Sequence, residues 1–226
     1  FIKVKDRFNT SNIKKFQLVK CNCGFIFLNP RPNTDEISNF YNHTDYDPHK
    51  NRNFNAYDII YKIVQKLALK IKYNKIKRLK NKGKLLDIGG GKGEFALFMH
   101  KKGFSSSIQD NFSYYNGILD FYTNINKINK KYFDVISMWH VLEHVHNLEN
   151  LFNSINTILN KNGILVIAVP NHDAIERKYF NDKWAPYDAP RHLYHFNLSS
   201  LEKILNKNGF KILKKYSMIQ DTFYNI

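Results

Sequence analysis

Apolar residues recur along the chain in changing rhythms, and each change marks an element boundary. Over residues 57–79, Ile60, Ile63, Val64, Leu67, Ala68 and Ile71 fall at helical spacing with Lys62, Lys66, Lys70 and Lys72 around the rest. That spacing predicts an amphipathic helix packing on a sheet; a basic amphipathic helix also suits an anionic membrane surface. The rhythm then becomes strand and helix in alternation. Residues 85–88 read as a first strand, 94–102 as a helix closed by Gly103, 104–110 as a second strand despite three serines, 118–122 as a third and 133–139 as a fourth. The stretch between the second and third is too short for a full crossover helix. Residues 148–159 spell a strong amphipathic helix through Leu151, Phe152, Ile155 and Ile158. Gly163 ends that turn, and the fully apolar 164–169 predicts a buried central strand. Ser199 to Glu202 spells a capping box for a last helix driven by Leu201, Ile204 and Leu205 and closed by Gly209; 210–215 reads as a final strand.

Ahead of the first helix, residues 1–33 read as short strands and turns around Cys21-Asn22-Cys23-Gly24, stopped by Pro30 and Pro32. Thr34 is placed to cap a short helix bearing Ile37, Phe40 and Tyr41. The polar, aromatic 42–55 is expected to be mobile or to face a substrate. At 226 residues and 43 % hydrophobic, the chain can bury one ordinary α/β domain and a small appendage. It has no run of eighteen apolar residues and no signal-peptide pattern, so a soluble, cytoplasmic protein is expected. Two cysteines do not make a disulfide framework. The first residue is Phe1 rather than Met, which suggests a fragment.

The net charge of +16 invites a nucleic-acid partner. Lysine supplies nearly all of it, in a chain loaded with Asn and Ile, whereas base and phosphate readers lean on the arginine fork. A solvated lysine surface is the simpler reading, and an RNA substrate remains the alternative.

Candidate chemistry starts where the first strand ends. Asp87 is followed by Gly89, Gly90, Gly91 and Gly93 and then a helical pattern. Glycines there let a ligand approach the backbone at the carboxyl end of a strand, where open α/β sheets bind. A dinucleotide fingerprint would need glycine at Glu94, and no Gly-Lys-Ser/Thr of a P-loop follows. What remains, Asp-x-Gly-x-Gly-x-Gly, resembles the first motif of class I S-adenosylmethionine (SAM) methyltransferases, whose ligand carries no phosphate. Gly89, Gly91 and Gly93 would admit its methionine end. Asp87 would orient the loop through backbone amides or hold the ligand's ammonium. Asp110, about twenty residues on at the end of the second strand, is placed for ribose hydroxyls. Met138 and Trp139, ending the fourth strand, would border the reacting methyl.

Directly after them, His140, Glu143 and His144 would share one face of a helical turn. An oxygen or carbon nucleophile must lose a proton to be methylated, and histidine near neutrality accepts one. The same spacing suits a divalent metal. A second cluster follows the buried strand, with Trp184, Tyr187, Arg191 and His192 in a long polar and aromatic insertion. Trp184 and Tyr187 can stack on a sugar or ring, and Arg191 can hold a phosphate or carboxylate through paired bonds. His140 joins these three as a substrate candidate, and His192 joins Glu143 and His144 as a catalytic one.

The segments FDVISMWHVLEHVHNLENLF, WAPYDAPRHLYHFNLSSLEKILNKNGF and CNCGFIFLNPRP together resemble one branch of class I methyltransferases. That branch includes enzymes acting on small molecules and nucleotide-linked sugars, some with a zinc-binding segment in front. The resemblance implies a Rossmann-like, mostly parallel α/β sheet at 57–226, lacking its last strand, behind a truncated zinc-ribbon-like segment at 1–56. It implies SAM as cofactor, a small-molecule acceptor, and Glu143 and His144 as the proton acceptor. With only Cys21-x-Cys23, a four-cysteine zinc site cannot be assembled from these residues, and any metal is left open. A degenerate, non-catalytic binding module is the remaining alternative.

Overall fold

The computed structural model describes residues 1–6, 16–41, 56–111 and 115–218, for 56–61 the backbone only. The expectations for 42–55 and for the side chain of Ile60 lie outside the described residues. Along the chain run β1 (Ile2–Val4), β2 (Phe16–Lys20), β3 (Ile26–Leu28), α1 (Ala56–Lys77), β4 (Lys84–Ile88), α2 (Glu94–Lys101) and β5 (Ser105–Gln109). There follow β6 (Asp120–Tyr122), β7 (Phe133–Trp139), α3 (Leu148–Ile158), β8 (Leu159–Ala168), α4 (Ile175–Phe180), β9 (Tyr194–His195) and α5 (Leu198–Lys207). Two compact units interleave: Asn53–Leu142 with Asn147–Ala168, and Phe1–Arg52 with Glu143–His146 and Val169–Ile226.

The first of these is the α/β unit. Its five strands lie in the order β6-β5-β4-β7-β8, and every pair is parallel. β4 is paired on both sides, with Leu85 and Leu86 fully buried opposite Ser106 and Ser107 on one flank and Val135 and Ile136 on the other. The serines of β5 therefore form a strand because both its neighbours supply the ladder, overriding weak local propensity. Phe95 and Met99 of α2 pack with Ile76, Leu85, Phe104 and Val135 in one core cluster. α3 buries Phe152, Ile155 and Ile158 as its spacing predicts.

Two expectations change. β8 begins at Leu159, directly where α3 ends, and a register shift opposite Phe133 and Val135 takes Gly163 into the strand instead of a turn. Among the described residues β8 pairs only with β7, so its apolar run is a half-buried edge and not a central strand. The reason is that 210–218 forms no described strand to cover it. In α1 the buried face is Ala68 and Ile76, with Leu69 and Tyr73 packed beside them, whereas Ile63, Leu67 and Ile71 are 52, 53 and 36 % exposed. The helix is apolar on two sides, and only the side where Ala68 allows close approach meets the core.

In the other unit, β1, β2, β3 and β9 form an antiparallel sheet in that order. Ile26 and Phe27 pair with His195 and Tyr194, so the N-terminal segment takes its fourth strand from the insertion after β8. Both contribute to one core, with Val4, Phe16, Leu18, Leu28 and Phe40 packed against Trp184, Tyr187 and Ala189. The compact units thus do not follow the 56/57 boundary expected from sequence. Local caps also differ in detail. Asn33, not Thr34, accepts the amides of Asp35 and Glu36, and Asn197 with Ser200 forms the capping box of α5 in place of Ser199 with Glu202.

Arg191 is fully buried in this unit. Its Nε and Nη2 donate to the two carboxylate oxygens of Asp188 at 3.0 and 2.7 Å, Nη2 reaches Asp6 Oδ1 at 3.4 Å, and Nη1 donates to the Phe40 carbonyl at 3.3 Å. Burial alone would raise the Asp188 carboxyl, but the hydrogen bonds and positive charge of Arg191 hold it below its ordinary range. The expected substrate clamp is therefore an internal tie between insertion and N-terminal segment. Because removing one partner leaves buried charges uncompensated, Arg191→Leu is expected to cost about 3–5 kcal/mol in urea unfolding; a loss below about 1 kcal/mol would contradict this tie.

Candidate functional site

Sequence and sheet position fix the glycine loop. β4 ends at Ile88, and Gly89, Gly91 and Gly93 adopt φ of 67, 52 and 77°, a region that favours glycine. At two of them space forbids any side chain. A Cβ on Gly89 would stand 2.4 Å from Val141 Cγ2, and one on Gly93, the residue preceding α2, 2.5 Å from Ile108 Cδ1. The loop is pinned by Gly89 N–H donating to the Gln109 carbonyl at 2.7 Å and Gly91 N–H to Asp110 Oδ2 at 3.0 Å. Asp110, not Asp87, thus orients the loop.

Asp87 is buried and accepts the Ser137 hydroxyl at 2.6 Å. Burial pushes its carboxyl up to about 7, against the Ser137 bond and the attraction of Lys72. Near neutrality it is therefore poised to ionise when a cation arrives. Trp139 stands edge-on to Phe95 at 5.1 Å between ring centroids, with Lys72 Nζ 4.5 Å from its own centroid. Its indole N–H is buried without a hydrogen-bond partner among the described residues. Met138 is fully buried in the sheet opposite Ile88 and Ile167, so its side chain is core and does not border an open loop. His140 takes φ of 56° and its N–H donates to the Ala168 carbonyl. It precedes the 3-10 turn Leu142–His144, so the expected helical alignment with Glu143 and His144 does not form.

A distinct polar group forms in the antiparallel unit. Glu143 is fully buried, and ligand atoms of Glu143, His144 and His192 lie within 4.8 Å of one another. His144 and His192 stand nearly perpendicular, 4.5 Å between ring centroids. Each imidazole is anchored through Nδ1: His192 lies 2.7 Å from the Pro186 carbonyl, and His144 lies 3.1 Å from the Arg191 carbonyl and 2.9 Å from the Tyr41 hydroxyl. With Nδ1–H donated to the carbonyls, both Nε2 atoms carry lone pairs. Burial and the neighbouring His192 push His144 down to about 4, which keeps it neutral. Such a group can accept a proton, and it offers a divalent ion one carboxylate and two imidazoles.

The pairing of His144 with His192 rests on insertion and turn meeting, which their spacing in the chain conceals. Tyr41 was expected only on a packing face, and its hydroxyl meets His144 instead. Trp184 and Tyr187, expected to stack on substrate, are 7 and 2 % exposed in the core. Cys21 and Cys23 are exposed free thiols, with Cys23 N–H donating to Cys21 Sγ at 3.3 Å. A depression of about 550 Å³, lined by Lys82, Lys84, Lys131 and Asp134 among others, opens at the amino ends of β4 and β7, away from the glycine loop.

A family model described as "Methyltransferase domain" matches residues 51–215. The chain belongs to this methyltransferase family. The sheet agrees: it is similar to a SAM-dependent methyltransferase from Archaeoglobus fulgidus (19 % identity, TM-score 0.52, covering 75 % of this chain and 90 % of that one). It is also similar to phosphoethanolamine N-methyltransferase 2 from Haemonchus contortus, solved with SAM (16 %, TM-score 0.53, covering 88 % of this chain and 49 % of that one). No curated protein matches. The methyltransferase thus has a Rossmann-like fold similar to that of solved SAM-dependent methyltransferases, and no described helix is long and apolar enough to cross a membrane.

Asp87 holds its proton more tightly folded than unfolded, so its own contribution to stability is lost as pH rises from about 4 through about 7, while the depressed His144 contributes in the opposite sense. Asp87→Asn should remove that contribution alone, so the difference between the two proteins changes across the window. Urea midpoints of both proteins on either side of the window check this, and parallel curves would refute it.

Proposed function

We propose that this methyltransferase transfers a methyl group to an oxygen or carbon of a small metabolite, with nucleotide-linked sugars as the acceptor class. The observation that carries the reading is the neutral, half-buried His144 beside the buried Glu143, with Nδ1 anchored and Nε2 presenting a lone pair. An amine acceptor can arrive already deprotonated, whereas a hydroxyl or an acidic C–H must give up a proton to the protein. When bound, SAM supplies an electrophilic methyl on a sulfonium.

The residues of the glycine loop fit that ligand. Bare backbone at Gly89, Gly91 and Gly93 admits it, and a carboxyl at Asp87 that ionises near neutrality meets the ammonium. Lys72 and the Trp139 indole N–H are suited to the methionine carboxylate. Asp110 accepts the Gly91 amide through Oδ2 beside the loop, which supports its carboxylate as the group that would take ribose hydroxyls. The chain runs directly off the carboxyl end of β7 into the turn bearing Glu143 and His144. Those two take the proton, His192 shapes their surroundings, and His140 remains a candidate contact to the acceptor. The branch-level resemblance supports the sugar-linked acceptor.

Incubation with labelled SAM and a panel of nucleotide-sugars, read by mass spectrometry, tests the acceptor class; methyl transfer confined to RNA or to amines would overturn it. His144→Ala is expected to lower turnover about 10²–10⁴-fold with SAM affinity intact. Equal loss of both would make the imidazole structural. Asp110→Asn should weaken SAM binding about ten- to hundredfold in calorimetry, as loss of charge-assisted bonds predicts.

A further inference from the structure

The face of α1 turned away from the core carries a feature that methyl transfer does not use. Ile63, Leu67 and Ile71 stand at i, i+4 and i+8, so they form one stripe along the helix, and all three are exposed. Exposed aliphatics are ordinary singly, but three in register on one helix are a patch. Beside them Lys62, Lys66 and Lys70 repeat at the same spacing and are exposed too, and Lys77 and Arg78 extend the basic face at its end. The helix holds six lysines and one aspartate. Its opposite face, through Ala68 and Ile76, accounts for its attachment to the core, so the outer stripe is not needed for folding.

We propose that this face of α1 docks on an anionic lipid surface. A second copy of the chain fits badly, because a two-fold contact sets a face against itself and would bring both lysine rows together. An anionic bilayer suits both rows at once. Three aliphatic side chains enter the boundary between headgroups and acyl chains, while the long lysine stems lie along it with their ammonium groups among lipid phosphates. The net charge of +16 adds long-range attraction of the same sign. A single stripe on one helix matches shallow interfacial insertion, and no described helix is long and apolar enough to cross a membrane.

Co-sedimentation of the full chain with vesicles tests this, comparing equal parts phosphatidylcholine and phosphatidylglycerol with phosphatidylcholine alone. Binding is expected to the anionic vesicles and to weaken as salt is raised. Ile63→Ser, Leu67→Ser and Ile71→Ser combined should lower partitioning at least about tenfold. Lys66→Glu with Lys70→Glu should lower it about a hundredfold or more. Circular dichroism and thermal unfolding of both variants show that they fold, and since all five positions are exposed neither should shift the transition appreciably. No binding to anionic vesicles at low salt, equal binding to neutral ones, or binding unaffected by either variant would overturn the proposal. So would sedimentation velocity showing a dimer that the serine variant dissolves.

Discussion

The parallel pairing of β4 on both its flanks is the constraint on which the α/β unit depends. Because β5 and β7 hold it from either side, its last residue is fixed, and the chain must leave the sheet at Ile88 beneath Val141 and beside Ile108. Only residues without a side chain can make that exit. The same crowding leaves bare backbone at the carboxyl end of a strand, where a ligand can come close. The exit from the strand by itself requires these glycines, and Asp110 joins them by tying the Gly91 amide to the end of the neighbouring strand.

Buried charge organises the chemistry in two different ways. Asp87 lies in a setting that penalises its ionised form, which pushes its carboxyl up to about 7. Asp188 and Arg191 neutralise each other, and their cost of burial is offset by four hydrogen bonds that also bind Asp6 and the Phe40 carbonyl. That tie carries the Arg191 carbonyl against His144 and the following residue, His192, against it as well. A residue expected to grip substrate instead sets the orientation of the imidazoles that can accept a proton.

Much of the fold was legible in short stretches of sequence. The boundaries of β4, α2, β7 and α3 match their apolar periods closely, and the glycine spacing set the ligand class aside from dinucleotides and nucleoside triphosphates before any coordinates. Glu143 and His144 stand out as a pair for the same reason, since they are adjacent in the chain, and their role is a proposal. Period and turn chemistry act over a few residues, and one strand or helix satisfies them by itself.

Other features exist only once distant segments meet. Nothing local to Tyr194 and His195 says that they pair with β3, and so nothing local says that Trp184 and Tyr187 are core while Tyr41 meets His144. The apolar run of β8 looks central by composition, yet strand order makes it an edge. In α1 two apolar stripes compete, and only packing decided that Ala68 and Ile76 go inward while Ile63, Leu67 and Ile71 stay in solvent. Sequence by itself determined most of the elements and the form of the glycine loop, because those follow from spacing along the chain. Tertiary structure alone decided which polar groups are buried together and which apolar face is left over, because burial and charge pairing are properties of neighbours in space.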